Sequence, residues 1–341
     1  MTLTDFDKAL LQLLQRSVPL VRRPFEQLAR ELGRSEPDVI ARVGELSADG
    51  GVIREIAGIF DATLLGYRSM LAGMKVPPSH LDDAGKIVSA HPGVSHCYSR
   101  PAAYNLWFTL VCPPDSSLGL EGTAQRLAKL CEVQQVLLLP VLRRYKLRVN
   151  IPLGEGPAES LAEEPAEELE TPRKPIQPTA QQIAAIKALQ QPLPATPQPF
   201  DALAAEQNLD ADELLVIAAD LLAAGALRRY SAVLRHRSAG AVHNVLAAWQ
   251  VSEEQADAFG RAAAEVPQIS HCYLRPAGPE WPYTLYTMIH ARDEAQARGV
   301  IAALAQFGHP HVELPTLKEF KKAKVRLFSE GFGQWEKANK A

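Results

Sequence analysis

Val94-Ser95-His96-Cys97-Tyr98-Ser99-Arg100-Pro101 returns 175 residues later as Ile269-Ser270-His271-Cys272-Tyr273-Leu274-Arg275-Pro276. A stretch that keeps Ser-His-Cys-Tyr and then Arg-Pro is an internal repeat, and repetition at a fixed offset marks duplicated structural units. Within a few residues of the same offset, Gly51-Val52-Ile53-Arg54 matches Gly225-Ala226-Leu227-Arg228, and Leu139-Pro140 matches Leu314-Pro315. Asn105-Leu106-Trp107-Phe108-Thr109-Leu110 falls on Tyr283-Thr284-Leu285-Tyr286-Thr287-Met288. The chain is a tandem duplication, or two related subunits fused.

Each copy follows the same grammar. In the first, Thr4 and Ser35 stand as N-caps, Pro24 opens a helix and Gly33 closes it. Apolar residues recur at helical spacing (Phe6, Leu10, Leu13, Leu14; Val39, Ile40, Val43, Leu46). Asp49-Gly50-Gly51 leads into the strand Val52-Ile53-Arg54-Glu55-Ile56, so three helices and a β-wing predict a winged helix-turn-helix. The second copy repeats this with helices at 179–190, 200–208 and 210–224 and a strand at 226–234. Downstream, 69–76 reads as strand, 81–90 as helix, 94–100 and 104–112 as a hairpin, 120–132 as helix and 136–142 as strand. That is the split βαβ, ferredoxin-like order βαββαβ, and 244–251, 253–265, 269–275, 282–290, 294–307 and 311–317 repeat it. The expected class is therefore α+β, two tandem copies of winged helix-turn-helix plus ferredoxin-like domain. The boundaries are 1–66 and 67–153 for copy one, 154–178 for a linker, 179–240 and 241–330 for copy two, and 331–341 for a C-terminal tail. With seven glutamates and five prolines, 154–178 has the composition of a solvated tether. Its random-coil span of about 25–30 Å lets the copies sit side by side as a pseudo-dimer.

Composition narrows the class. At 341 residues, 47% apolar and 22% charged, the chain has enough length for about two globular domains and is not a disordered polymer. It contains no apolar run of membrane-spanning length and does not start with a basic stretch followed by an apolar one, so a cytoplasmic protein with no membrane partner is expected. Four cysteines without a CxxC pair fit a reducing compartment, and no structural metal site is expected. A net charge of −3 gives no electrostatic case for nucleic acid.

A winged helix-turn-helix followed by a ferredoxin-like domain looks like the Lrp/AsnC regulators, and their DNA-reading role can be tested on the third helix. DNA carries one charge per roughly 1.7 Å, so a recognition helix normally brings several cations. Here copy one offers Arg42 against Glu36, Asp38, Glu45 and Asp49, and 210–224 offers no basic residue against Asp210, Asp212, Glu213 and Asp220. No nucleic-acid partner is expected. The alternative is a transcription regulator that senses a tetrapyrrole or an amino acid.

The cations and imidazoles lie elsewhere. Residues two apart on a strand share a face, which puts His96, Tyr98 and Arg100 on one face in copy one and His271, Tyr273 and Arg275 on one face in copy two. Such a row combines a group that titrates near neutrality, a phenol and a guanidinium that can fork onto a carboxylate. In copy two, Val233-Leu234-Arg235-His236-Arg237 stands where copy one has Ile59-Phe60-Asp61-Ala62-Thr63, and His243 and Asn244 follow. This concentration suits a ligand with several carboxylates. Trp107, Trp281 and Tyr283 on the adjoining hairpins could lie against a flat macrocycle.

At these residues the sequence resembles the siroheme decarboxylase family, the Nir- and Ahb-type proteins related to Lrp/AsnC regulators. The resemblance rests on Gly58-Ile59-Phe60-Asp61 with Leu65-Gly66-Tyr67, the two HxYxR strands, and Tyr104-Asn105-Leu106-Trp107-Phe108-Thr109. It rests also on the Arg-His-Arg wing at 235–237 and the hairpin from Trp281-Pro282-Tyr283 to Met288-Ile289-His290. It implies a fused form of two paired subunits, D-type half first and L-type half second, associated with haem d1 assembly. The implied enzyme is a carboxy-lyase that removes the C12 and C18 acetate carboxyls of siroheme as two CO2. It would use no cofactor beyond the iron the substrate carries, and further homologous subunits or homo-oligomerisation are possible partners. His236 and His271 are expected to transfer protons with Tyr273 as helper, and Arg235, Arg237 and Arg275 to hold carboxylates. His243, Asn244, Trp281, Tyr283, His96, Tyr98, Arg100 and Trp107 would complete the binding surface.

Overall fold

A computed structural model describes residues 3–147, 174–235 and 243–339. Copy one runs α1 (Asp5–Arg16), α2 (Pro24–Leu32), α3 (Glu36–Ser47), β1 (Ile53–Phe60), β2 (Arg68–Met74), α4 (Leu81–Ala90), β3 (Val94–Ser99), β4 (Leu106–Cys112), α5 (Gly119–Leu130), β5 (Val136–Pro140) and β6 (Arg143–Leu147). Copy two runs α6 (Ala180–Leu189), α7 (Pro199–Ala205), α8 (Ala211–Ala223), β7 (Leu227–Leu234), β8 (His243–Trp249), α9 (Glu253–Glu265), β9 (Ile269–Leu274), β10 (Leu285–Ala291), α10 (Glu294–Ala305), β11 (His311–Pro315), β12 (Lys318–Lys322) and α11 (Gly331–Ala338). Most of the expected linker lies outside the described residues.

The chain divides into two compact units that group like with like: 3–66 with 174–235, and 67–147 with 243–339. In the first unit the caps read from sequence form. Thr4 Oγ1 accepts from Asp7 N at 3.2 Å while Thr4 N donates to Asp7 Oδ2 at 2.8 Å, and Thr179 with Gln182 repeats the same capping box. Gly33 closes α2 at φ 62°, the left-handed conformation that glycine adopts without steric cost. The wing differs from expectation. Each copy contributes one strand, and β1 pairs antiparallel with β7 from Ile53↔Leu234 to Phe60↔Leu227, so the wings of the two copies form a single ribbon. On α3, Arg42 is held by the fully buried Asp7 at 2.6 and 2.7 Å and by Glu45, and α8 has an exposed Val216 and Leu222 where a DNA reader needs cations.

The second unit carries two five-stranded sheets, β12-β3-β4-β2-β5 and β11-β8-β10-β9-β6. Each is the expected four-stranded sheet plus an edge strand donated by the other copy: β6 of copy one pairs with β9, and β12 of copy two pairs with β3. The segment expected as a tail carries α11, whose Phe332 and Trp335 rings stack edge-on to His91 at 6.3 and 4.3 Å.

The exchanged strands are seated by aromatic residues on helical glycines. A Cβ at Gly260 of α9 would lie 2.5 Å from the Tyr145 ring of β6, and one at Gly85 of α4 would lie 2.5 Å from the Phe320 ring of β12. In an ordinary helix Gly→Ala stabilises by about 1 kcal/mol. Here the close approach reverses the sign, and Gly260→Ala should destabilise by about 1–3 kcal/mol through overpacking. Urea denaturation checks this, and a variant as stable as the parent would show that the ring simply moves aside.

Candidate functional site

Both sheets turn one face to their helices and the other toward each other. Cys97 and Cys272 point to the helix sides, so by the two-residue period His96 and Tyr98 on β3, and His271 and Tyr273 on β9, face the inter-sheet side. The aromatic core of that side includes Tyr104, Trp107, Leu139, Leu246, Trp281 and Tyr286. The two His-Tyr-Arg rows have matching geometry. The His96 and Tyr98 rings lie 6.1 Å apart, and those of His271 and Tyr273 lie 5.9 Å apart. The Arg100 guanidinium sits 5.2 Å over Tyr98, and that of Arg275 sits 5.1 Å over Tyr273.

A serine tunes each histidine. Ser95 Oγ is 2.9 Å from His96 Nδ1, and Ser270 Oγ is 2.6 Å from His271 Nδ1. Ser270 Oγ also reaches the Met288 carbonyl at 3.4 Å, which can only accept. A chain from His271 Nδ1–H to Ser270 O–H to Met288 C=O satisfies every group and leaves Nε2 as the proton acceptor. His290 on β10 extends the constellation, its Nδ1 bonded to Asn244 Oδ1 at 2.6 Å. An amide oxygen only accepts, so this nitrogen carries a proton.

Desolvation, reinforced by the charges of His290, His96, Arg144 and Arg275, pushes the His271 pKa down to about 3. His271 is half-buried, and burial and four cationic or ionisable neighbours act in the same direction, so the free protein holds His271 neutral at pH 7. His96 of the other copy is among the groups that contribute to this shift. Burial lowers Arg100 and Arg275 to about 10, which leaves both charged at neutral pH.

Several expected site residues have other work. Arg100 and Arg275, 4% and 7% exposed, each donate across to the other copy: Arg100 Nη1 to the Leu314 carbonyl and Arg275 Nη1 to the Leu139 carbonyl. They tie the sheets together, so one guanidinium nitrogen of each is held between the copies, where the sequence suggests Arg275 as a carboxylate clamp and Arg100 as part of the binding surface. Trp107 and Trp281, 1% and 4% exposed, have ring centroids 5.3 Å apart and spend their indole N–H groups on Tyr104 O (2.7 Å) and Tyr286 Oη (2.8 Å). They form core rather than a platform for a macrocycle, and Tyr283 packs against Trp281 at 4.8 Å. His243 shares its parity with Val245, Ala247 and Trp249 on the helix side, away from the row that Asn244 joins. Arg235 belongs to the other unit, where it donates to the carbonyls of Ala48, Gly51 and Ile53. His236 and Arg237 lie outside the described residues. Sequence reasoning missed His290 and Arg144. The first had a signal, since it follows Met288 by two residues and so shares its face.

Among the described residues no group of His, Cys, Asp and Glu is arranged to hold a metal ion, and no helix is long and apolar enough to cross a membrane.

Family models match the chain at 64–146 and 238–321 (AsnC-like ligand binding domain) and at 7–54 (Siroheme decarboxylase NirDL-like HTH domain). The chain is 35% identical over 336 residues to a protein of Hydrogenobacter thermophilus named Siroheme decarboxylase, covering 98% of each. It is 38% identical over 149 residues to the siroheme decarboxylase beta subunit of Desulfovibrio desulfuricans, covering 43% of this chain and 94% of that one. The crystal structure of the siroheme decarboxylase NirDL, solved also in co-complex with an iron-uroporphyrin III analogue, matches with a TM-score of 0.78 at 30% identity over 98% of both chains.

Proposed function

This chain belongs to the siroheme decarboxylase family, and from that premise we propose that it converts siroheme to 12,18-didecarboxysiroheme and two CO2 on the way to haem d1. The observation that carries this reading is the convergence of His271, His290, His96 and their tyrosines with cationic side chains on one inter-sheet face.

The chemistry needs protons and no net redox change. Protonation of the pyrrole beside an acetate creates electron demand; the C–C bond then breaks, its electron pair moves toward the ring, and CO2 leaves. A proton added to the resulting methylene and one lost from the ring complete the step, so each acetate plus one H+ gives a methyl group and CO2. No cofactor beyond the substrate's own iron is invoked. His271 is the proposed proton carrier, with Tyr273 beside it and His290 as relay. On sequence alone, His236 stays in the proposal as a second proton-transfer group and Arg237 as a holder of a carboxylate. Incoming carboxylates oppose the cations that depress His271, so substrate raises its pKa toward the range where general acid–base catalysis is efficient. The free protein keeps the imidazole neutral, and the bound substrate lets it carry a proton.

The acidic and apolar exposed faces of α3 and α8 favour an enzyme over a DNA-binding sensor. Anaerobic incubation with siroheme followed by mass spectrometry tests the reading. Loss of two CO2 from the tetrapyrrole is the expected result, and bound siroheme of unchanged mass after complete incubation would overturn it.

A further inference from the structure

The 175-residue repeat aligns the two exchanged strands residue by residue: Arg143 with Lys318, Arg144 with Glu319, Tyr145 with Phe320, Lys146 with Lys321 and Leu147 with Lys322. Three of these pairs do equivalent structural work. Arg143 and Lys318 form ion pairs with Asp257 on α9 and Asp82 on α4. Tyr145 and Phe320 lie on the helical glycines. Lys146 donates to the carbonyls of Ala264 and Val266, and Lys321 to those of Ser89 and His91. A bulge in each strand gives both the aromatic and the following lysine to the helix side.

Two pairs are left facing the inter-sheet side: Leu147 and Lys322 stand opposite His271 and His96, and the other pair, Arg144 and Glu319, inverts its charge between the copies. Arg144 stands directly opposite Tyr273, and Glu319 stands directly opposite Tyr98. Arg144 makes no hydrogen bond or ion pair among the described residues, its Nε is buried without a partner, and its charge acts on His271. Arg100 and Arg275 have given a guanidinium nitrogen to a backbone carbonyl, whereas the fork of Arg144 is unspent. Arg144 is half-buried and its Nε lacks an acceptor, and a carboxylate is the group whose geometry the guanidinium fork matches.

We propose that Arg144, delivered from copy one by strand exchange, anchors a carboxylate of the substrate beside His271, and that Glu319 denies the copy-one row the same role. The pseudo-symmetric chain thereby holds one tetrapyrrole in one orientation. This inference rests on the proposed function, but its test reads binding without turnover.

Absorbance titration of the full chain with iron uroporphyrin III gives the affinity for a carboxylate-rich iron tetrapyrrole. Arg144→Met should weaken it by about 10–100-fold, the range for a charge-assisted hydrogen-bond pair, and should flatten its salt dependence. Arg144→Lys, which keeps the charge and loses the fork, should fall between. Glu319→Gln should bind at least as tightly as the parent, and thermal midpoints should not move, because Arg144 has no partner to lose. Unchanged affinity in Arg144→Met, or an equal loss in Glu319→Gln, overturns the anchor even where the parent protein turns siroheme over. A parent that binds but does not decarboxylate, with binding lost in Arg144→Met, sinks the proposed reaction and leaves the anchor standing.

Discussion

Replacing His271 by alanine is expected to lower the rate of CO2 release by about 10²–10⁴, the usual contribution of a positioned acid–base group, with tetrapyrrole affinity changed far less. The reason is the environment of the ring. Burial and the charges of His290, His96, Arg144 and Arg275 keep it neutral in the free protein, so a proton it acquires comes with the substrate and is poised for transfer. His290→Ala should have a smaller effect, since His290 lies on the neighbouring strand β10 and is bonded to Asn244 on β8, on the side away from His271. Single-turnover quenching with mass analysis of the tetrapyrrole separates chemistry from binding. A His271→Ala protein that keeps more than a tenth of the parent rate would move the proton-transfer role to another residue. The sign of the pH effect on stability follows from the same depressed pKa. The stabilisation from a neutral His271 is complete above pH 6.5 and is lost progressively as the pH falls toward about 3, where the folded form itself protonates.

The largest effect on stability is expected from Trp281→Ala. The indole touches the rings of Trp107, Tyr104 and Tyr283 at 5.3, 5.7 and 4.8 Å and donates to Tyr286. Truncating a buried tryptophan leaves a cavity between two sheets that cannot collapse, at a cost of about 3–5 kcal/mol. Because this core joins the copies, the loss should appear as one cooperative transition shifted to lower denaturant, without early release of one half. A shift under about 1 kcal/mol would mean that the sheets are held by something other than this aromatic cluster.

The repeated Ser-His-Cys-Tyr strand carried most of what could be read from the sequence. It exposes the duplication, and the alternation of Cys97 and Cys272 with their histidines puts each His-Tyr-Arg row on one face of its own strand. The helix caps at Thr4 and Ser35 are equally legible, because a cap is a contact between residues three apart. What could not be read was long-range. Arg143–Leu147 and Lys318–Lys322 are basic segments without an apolar alternation, and nothing local says that each completes the sheet of the other copy. The wing strands are legible but their pairing is not, since β1 finds its partner across the duplication. Trp107 and Trp281 look alike in sequence whether they face a ligand or each other. Arg100 and Arg275 sit on the expected face, but their carbonyl partners come from the opposite sheet.

Strand exchange also sets the order in which the chain can fold. Until Lys318–Lys322 has been made, β3 presents an unpaired edge carrying His96 and Tyr98. At ribosomal speeds of about 5–20 residues per second, the 219 residues from the end of β3 at Ser99 to the start of β12 at Lys318 take roughly 11–44 s to synthesise. For that interval the nascent first half is an open template of the kind that recruits stray strands. The sheet closes only through a contact of very large sequence separation, which makes its completion a late and slow event in the life of each molecule.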